Sequence, residues 1–95
     1  MRHACRRDQN QLEIIQALRG LGWAVYDTSA VASRAGLPGF PDLLCVRAGR
    51  VVLCEIKHGK APLTQDEQTF HLAYAGELVI LRTIDDCVRM TEGAG

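Results

Sequence analysis

The most regular pattern in the chain runs Gly39-Phe40-Pro41-Asp42-Leu43-Leu44-Cys45-Val46-Arg47 and, after Ala48-Gly49-Arg50, continues Val51-Val52-Leu53-Cys54-Glu55-Ile56-Lys57. Two apolar runs rich in β-branched residues, separated by a short break that contains glycine, are typical of an antiparallel hairpin. The sequence therefore predicts two paired strands here, and the other elements have to pack around them.

The length of the hairpin turn decides which side chains face each other. If Ala48-Gly49 is a two-residue turn, or lies within a four-residue loop, Asp42 is opposite Glu55, and directly opposed residues point to the same face. Lys57 shares that face with Glu55 because side chains alternate along a strand. A loop of odd length would instead place Asp42 opposite Ile56 and turn its side chain to the other face.

In the even-length register, two carboxylates and an ammonium group converge. Two carboxylates about 5 Å apart repel each other by about 3 kcal/mol at an effective dielectric of about 20. A divalent cation relieves this repulsion, and Asp42, Glu55 and the backbone carbonyl of Ile56 are oxygen ligands suited to Mg²⁺ or Mn²⁺. Lys57 would then neutralise charge on a phosphate or hold an attacking water. The alternative is a solvated Glu55–Lys57 pair at a strand end and an ordinary loop carboxylate at Asp42.

Four segments of the chain resemble a known nuclease signature. Pro41-Asp42, thirteen residues before Glu55-Ile56-Lys57, is similar to the PD-(D/E)XK motif. In order and spacing, the surrounding sequence resembles the small stand-alone form of the virus-type replication-repair nuclease (VRR-NUC) domain. The segments that carry the resemblance are residues 7–14, 39–44, 55–59 and 63–71.

The resemblance implies a restriction-endonuclease-like core and a metal-dependent endodeoxyribonuclease. Its substrate would be branched DNA such as the Holliday junction, in phage or bacterial replication and repair. Asp42 and Glu55 would bind Mg²⁺ or Mn²⁺, Lys57 would orient or activate water, and Gln68 would help to position the site or the DNA backbone. A homodimer is expected, because two copies related by a two-fold axis most simply cut both strands of a symmetric junction.

Composition is compatible with this reading and excludes little. Ninety-five residues, 47% of them hydrophobic, make one small domain. The sequence shows no long apolar run and no signal-like N-terminus, so a soluble cytoplasmic protein, in a bacterial host or encoded by a phage, is expected. Cys5, Cys45, Cys54 and Cys87 lack C-x-x-C spacing, so zinc is not expected. Cys45 and Cys54 are predicted to be small core residues.

The formal net charge is zero, but the charges are unevenly distributed. Residues 34–60 carry five bases against two acids, a net +3, whereas residues 61–86 carry one base against five acids, a net −4. A basic rim around an acidic pair suits phosphate docking over a metal site, although a scattered solvated surface is the alternative. The predicted DNA-binding residues are Arg34, His58, Lys60 and His71.

The N-terminal part of the chain predicts a helix. Residues 1–7 are basic and are expected to be flexible. From Asp8 to about Gly20 the apolar residues recur at helical spacing, with Asp8 as a plausible N-cap. Asp8 and Gln11 project to the apolar side, whereas Glu13 projects nearly opposite, where a solvated position is expected. The resemblance implies an acidic residue on this helix, and Asp8, Gln11 and Glu13 remain the candidates.

Residues 23–28 alternate like a strand, and their aromatic side chains are expected to pack on a helix. Residues 29–40 contain Gly36, Pro38 and Gly39 and are predicted to be a loop whose only charge is Arg34. In the family that this chain resembles, the segment that connects the preceding strand to the hairpin is shorter. The loop could line a DNA groove or lie on the surface.

The C-terminal third predicts a helix, a strand and a terminal helix. Thr64 and Glu67 form a capping-box pattern, so a helix should run from Gln65 to about residue 75. Gln68 and His71 share a face near its N-terminus, where an anion is favourable, and ordinary surface positions are the alternative for both. Residues 77–82 are predicted to be a strand and residues 83–90 a short helix.

These elements define an α/β fold in which a mixed β-sheet is flanked by helices, in the order αβββαβ(α). Besides the nuclease, two other classes of function stay open. The fold could be a non-cleaving nucleic-acid-binding module, which a missing first-helix acid would favour, or a structural partner subunit of a phage or host protein. Metal-dependent nicking of DNA separates the enzyme from both.

Overall fold

A computed structural model describes the backbone of residues 6–93 and the side chains of residues 9–93. Within this part of the chain, four strands form one sheet in the order β1-β2-β3-β4: β1 Ala24–Asp27, β2 Leu43–Arg47, β3 Arg50–Ile56 and β4 Glu77–Leu81. The helices are α1 Arg6–Gly20, α2 Ser29–Ala35, α3 Gln65–Ala73 and α4 Ile84–Glu92. β1, β2 and β3 are antiparallel neighbours, and β4 is parallel to β3. The predicted α/β class with a mixed, helix-flanked sheet is confirmed.

The β2–β3 hairpin has the even-length register. It turns at Ala48-Gly49, whose φ angles of 50° and 80° are those of a type I′ turn, the turn that matches the twist of the paired strands. Leu43 pairs with Cys54, so Asp42, one residue earlier, is aligned with Glu55. The register predicted from the sequence is confirmed.

A hydrophobic core lies between the sheet and helices α1 and α4. Its buried members are Ile14, Ile15, Leu18, Trp23, Val25, Leu43, Cys45, Val52, Cys54, Ile56, Leu81, Cys87 and Met90. Because side chains alternate along β3, its core residues leave Leu53 and Glu55, and then Lys57, on the opposite face. Cys45 and Cys54 are buried free thiols, as predicted, whereas Cys5 lies outside the described residues.

The predicted loop at residues 29–40 is wrong in its first half, where Ser29–Ala35 form α2. This adds a helix to the predicted order, which becomes αβαββαβα. The chain-breaking residues that suggested a loop all follow Ala35, and the stretch before them is rich in alanine, the strongest helix former. Gly36, with φ of 68°, ends the helix, and Arg34 is exposed in its last turn.

Helix α1 begins at Arg6, two residues before the predicted start at Asp8. The stretch expected to be flexible, residues 1–7, therefore overlaps the helix at Arg6 and Arg7, and residues 1–5 lie outside the described residues. Asp8 is inside the first turn rather than at the N-cap position. Arginine propagates a helix well, and no glycine or proline interrupts the chain before Asp8. Among residues 6–93, no helix has the length and apolar character that crossing a membrane requires.

Helix α3 has no buried residue, so contacts at its first turn position it. Thr64 and Glu67 form the predicted capping box: the Glu67 amide donates to Thr64 Oγ1 at 3.2 Å, and the Thr64 amide donates to Glu67 Oε1 at 2.8 Å. This box satisfies two amides that would otherwise lack partners at the helix start.

The loop before β2 holds the first turn of α3 from outside. Gly39, with φ of 79°, comes so close that a Cβ atom there would overlap the carbonyl oxygen of Asp66. Only glycine combines this backbone conformation with the absence of a side chain. Next to it, the rings of Phe40 and Phe70 pack edge to face with centroids 5.4 Å apart. The segment that leads into Asp42 is therefore packed directly against α3.

Candidate active site

Asp42 lies where β2 and β3 diverge. Since β2 begins only at Leu43, the amide of Ile56 donates to Asp42 Oδ2, at 2.9 Å, instead of to a strand carbonyl. Thr28 holds the same segment from the side of β1: its amide donates to the Asp42 carbonyl at 2.8 Å and its hydroxyl to the Pro41 carbonyl at 2.7 Å. The Asp42 carboxylate is thus buried and fixed by backbone contacts.

Glu55 is the most buried charged-type residue of the site, with 1% of its surface exposed. Its Oε1 atom has no hydrogen-bond partner among the described residues. Burial raises the pKa of Glu55 to about 9, and the charge of Asp42 and hydrogen bonding with the Asp42 and Glu67 carboxylates act in the same direction. In the metal-free protein Glu55 therefore keeps its proton at neutral pH.

Lys57 is held at its backbone and at its side chain. Its amide donates to the Leu81 carbonyl at 3.1 Å, and its carbonyl accepts from Asn10 Nδ2 at 3.2 Å. Its Nζ atom lies 2.6 Å from Oε1 of Glu67, with only 9% and 13% of the two side chains exposed. Lys57 is therefore a fixed cation beside the two carboxylates of the hairpin.

Glu67 is the site residue that the sequence reasoning missed. Burial alone would raise its pKa, but hydrogen bonds from Lys57 and the Thr64 amide outweigh burial and lower it to about 2. Its Oε1 atom accepts from both groups, so one carboxylate oxygen caps α3 and holds Lys57. In the sequence, the capping-box pattern was a sufficient reason for a glutamate at position 67. The additional contact with Lys57 therefore could not be inferred from the pattern.

Gln68, predicted to help position the site or the DNA backbone, lies on α3 next to Glu67. Its Nε2 atom donates to the Leu63 carbonyl at 3.2 Å, and its side chain is exposed. His71, three residues later, is half-buried, and its Nε2 atom is buried without a partner among the described residues. The preceding residue, Glu67, contacts Lys57 at the end of β3.

Of the first-helix candidates, Gln11 and Glu13 do not supply a carboxylate to these contacts. Gln11 Nε2 donates to Asp27 Oδ2 at 3.1 Å, and Glu13 is exposed at the rim of a surface hollow. The side chain of Asp8 lies outside the described residues. Asn10, which the sequence analysis did not single out, is the α1 residue that contacts the site, through the carbonyl of Lys57.

Three of the predicted DNA-binding residues are exposed. Arg34 lies on α2, and His58 and Lys60 lie in the turn that directly follows Lys57. The net positive charge of residues 34–60 is therefore carried partly by side chains that solvent, or an anion, can reach.

The buried acidic pair fits a hard divalent cation. Asp42 and Glu55 offer carboxylate oxygens, one of them unpartnered, and the carbonyl of Ile56 comes next in the chain. Magnesium is commonly held by one or two carboxylates, with water and substrate phosphate completing its shell. Among residues 9–93, no group of three or more His, Cys, Asp or Glu side chains is arranged to hold a metal ion. The ligands that the protein could offer a cation here would be two carboxylates and a carbonyl.

Comparison with known proteins agrees with this fold. A solved structure described as a VRR_NUC domain matches 97% of this chain and 100% of its own, with a TM-score of 0.77 and 18% sequence identity. No protein-family model matches the sequence, and no curated protein matches it either. The chain has the fold of a VRR_NUC domain, which confirms the fold that the sequence resemblance implied.

The buried proton of Glu55 predicts a pH-dependent effect of Glu55→Gln. An unfolded glutamate titrates near 4.5 and the folded Glu55 near 9, so between these values the folded state holds a proton that the unfolded state releases. The wild type therefore loses stability as the pH rises through this range. Glutamine stays neutral. In the presence of a metal chelator, Glu55→Gln and the wild type should have the same free energy of unfolding near pH 4. Near pH 8 the free energy of unfolding of the variant should be higher, by on the order of a few kcal/mol.

Urea unfolding of both proteins across this pH range measures the difference. Glu67→Gln is the matched control, because glutamine preserves the capping box and Glu67 is ionised down to a pKa of about 2. Its difference from the wild type should stay constant above about pH 5. A Glu55→Gln difference that is equally constant would show that Glu55 does not hold its proton.

Proposed function

We propose that the protein is a Mg²⁺- or Mn²⁺-dependent endodeoxyribonuclease that hydrolyses phosphodiester bonds in branched or junction DNA. The observation that carries the proposal is the convergence of Asp42, Glu55 and Lys57 on one face at the end of the β2–β3 pair, in a fold shared with a VRR_NUC domain. Burying two adjacent carboxylates lowers stability. A cation-binding role accounts for that cost.

Asp42, Glu55 and the carbonyl of Ile56 would hold the cation. When bound, Mg²⁺ or Mn²⁺ would polarise the scissile phosphate and lower the pKa of the attacking water. Glu55 has to release its proton to act as a ligand, so cation affinity should increase with pH. Asp42 needs no rearrangement, because the Ile56 amide already orients its carboxylate.

Lys57 would stabilise the negative charge that develops on the phosphate and orient the attacking water. Its ammonium group is fixed before substrate arrives, since Glu67 holds it at 2.6 Å and the Lys57 backbone is bonded on both sides. A charge that needs no reorganisation is the most effective form of electrostatic catalysis. In this proposal Glu67 is a positioning residue that acts through Lys57.

DNA is the proposed partner, and the basic residues Arg34, His58, Lys60 and His71 are the proposed contacts. Arg34, His58 and Lys60 support this proposal by their exposure, and His71 joins them on α3. The protein would act in phage or bacterial replication and repair.

A non-cleaving DNA-binding module is the second candidate. The observation that favours it is on α1, where Asn10 and Gln11, both uncharged, make the described contacts and Glu13 is exposed. The first-helix acid that the resemblance implied is thus not seen at the site among residues 9–93. This candidate predicts metal-independent DNA binding without nicking.

Substitution of the acidic pair and of Lys57 tests the chemistry. Asp42→Asn should reduce cleavage by orders of magnitude while DNA binding persists, because it removes a metal-binding charge and keeps the shape. Lys57→Ala should reduce cleavage by about 10²- to 10³-fold. Calcium should support binding but little hydrolysis, because its coordination is larger and looser. Nicking of a labelled four-way junction in magnesium, manganese and calcium measures all three.

Asp66→Asn is the matched control for Asp42→Asn, since Asp66 is exposed on the first turn of α3. It should cut at the wild-type rate. Cleavage by Asp42→Asn at that same rate would place the chemistry elsewhere in the molecule.

The positioning role of Glu67 is tested with a double mutant. Glu67→Ala should lower the cleavage rate in the direction of Lys57→Ala, and the Lys57→Ala/Glu67→Ala protein should be no slower than Lys57→Ala alone, because Glu67 acts through Lys57. Glu67→Gln, which keeps the cap and can still accept from Lys57, should recover part of the rate. Additive losses in the double mutant would contradict this role.

A homodimer is proposed on grounds of size and symmetry. A chain of ninety-five residues has little room for a second DNA-reading surface, and two copies related by a two-fold axis match a symmetric junction. Light scattering at micromolar concentration should give twice the chain mass. A monomeric mass both with and without junction DNA would count against it.

A further inference from the structure

Arg82 makes two contacts that the candidate site leaves unexplained. It lies between the end of β4 and Thr83, the N-cap residue of α4. Its Nη1 atom donates to the carbonyl of Gly59 at 2.9 Å and to the carbonyl of Ala61 at 2.8 Å. These two carbonyls flank Lys60, so one guanidinium group holds the backbone on both sides of an exposed lysine.

The segment that Arg82 holds is a tight turn at residues 58–61. The Ala61 amide donates to the His58 carbonyl at 3.2 Å, and Gly59 has a φ of 59°. The turn leaves β3 directly after Lys57 and leads into α3, so both its ends are tied to the candidate site. Its tip extends into solvent, where His58 and Lys60 are exposed.

Arg82 is itself well anchored. Its amide donates to Asp86 Oδ2 at 2.8 Å, and the same carboxylate closes the capping box of α4 with Thr83. Because α4 contributes Cys87 and Met90 to the hydrophobic core, the anchor is continuous with that core. The turn is therefore fixed to the core through one side chain.

We propose that Arg82 is a positioning residue that orders the 58–61 turn and so presents Lys60 to a phosphate of bound DNA. This inference rests on the proposed function and adds to it the residue that pre-arranges a DNA contact. Lys60 belongs to none of the ion pairs among the described residues, so its charge is available to an anion. A turn that is ordered in the free protein need not lose conformational entropy on binding.

The alternative is that Arg82 contacts phosphate with its own charge. The geometry disfavours it, because Nη1 is directed at two backbone carbonyls. The two roles differ in salt dependence: each phosphate contact by a lysine or arginine contributes about one unit to the slope of log affinity against log salt. A residue that acts through Lys60 contributes no slope once Lys60 is removed.

The test is a double-mutant cycle of Arg82→Met and Lys60→Ala. Binding to a labelled four-way junction is measured in calcium over a series of salt concentrations. Lys60→Ala should reduce the salt slope by about one unit. Arg82→Met should weaken binding by about threefold to tenfold with Lys60 present and by less than twofold in the Lys60→Ala background.

A second variant disturbs the turn without touching any charge. Gly59→Ala places a side chain at a positive φ, where L-residues are strained, and no atom lies near enough to clash. It should weaken binding while leaving Arg82 and Lys60 chemically intact. Gly93→Ala, at φ of 70° at the C-terminal end of α4 and with no neighbouring atom closer than 3.4 Å, is the matched control and should bind like the wild type.

Arg19→Met is the matched control for Arg82→Met. It also removes an arginine that donates to a backbone carbonyl, since Arg19 donates to the Val25 carbonyl at 3.2 Å. It should leave junction binding unchanged. Thermal unfolding of each variant confirms that binding is compared between folded proteins.

The inference is overturned if Arg82→Met lowers the salt slope further in the Lys60→Ala background, since Arg82 would then contact phosphate itself. Unchanged binding by Arg82→Met or by Gly59→Ala would overturn it as well. In each of these cases the wild type still binds DNA and the proposed function stands. If the wild type itself fails to bind junction DNA at low salt, the proposed function fails and the inference fails with it.

Discussion

The pairing of β2 with β3 admits one register, and the rest of the molecule depends on it. A slip of one residue would turn Leu43 and Cys45 out of the core and bring Asp42 into it. Stability would be lost twice, because apolar side chains would be exposed and an unpaired charge would be buried. The type I′ turn at Ala48-Gly49 excludes that slip locally, and the hydrophobic face of β3 excludes it over the whole strand. The β2–β3 register that places the apolar side chains in the core therefore also places the two carboxylates on the opposite face of the sheet.

Two glutamates in this small site are in opposite protonation states for physical reasons that can be read from their neighbours. Glu55 is surrounded by other carboxylates and has no cationic hydrogen-bond donor among its described contacts, so its pKa is raised. Glu67, close by, accepts from an ammonium group and a backbone amide, so its pKa is lowered. The site thus combines a fixed ion pair with a neutral acid, and under the proposed function that acid would have to ionise before it could bind a cation.

Much of this arrangement could be predicted from the sequence, because it is set by local rules. Turn chemistry gave the register of Asp42 and Glu55, and the Thr64 and Glu67 pattern gave the start of α3. Helix α2 was missed because glycine and proline after Ala35 obscured an alanine-rich stretch before them. The contact of Asn10 with Lys57 joins residues 47 positions apart, and the contact of Glu67 with Lys57 joins α3 to the end of β3. Only the packing of α1 and α3 against the end of β3 specifies these contacts.

The four residues that form the centre of the candidate site, from Asp42 to Glu67, belong to one continuous stretch of chain. The hairpin, the 58–61 turn and the first turn of α3 follow one another with no other element between them. Helices α1, α2 and α4 support this unit from outside, and most of their contacts with it can be met by many different apolar side chains. With the site confined to this central unit, the sequences of the supporting helices can change extensively without changing the unit itself. A structural match over 97% of the chain at only 18% identity is what such tolerance would allow.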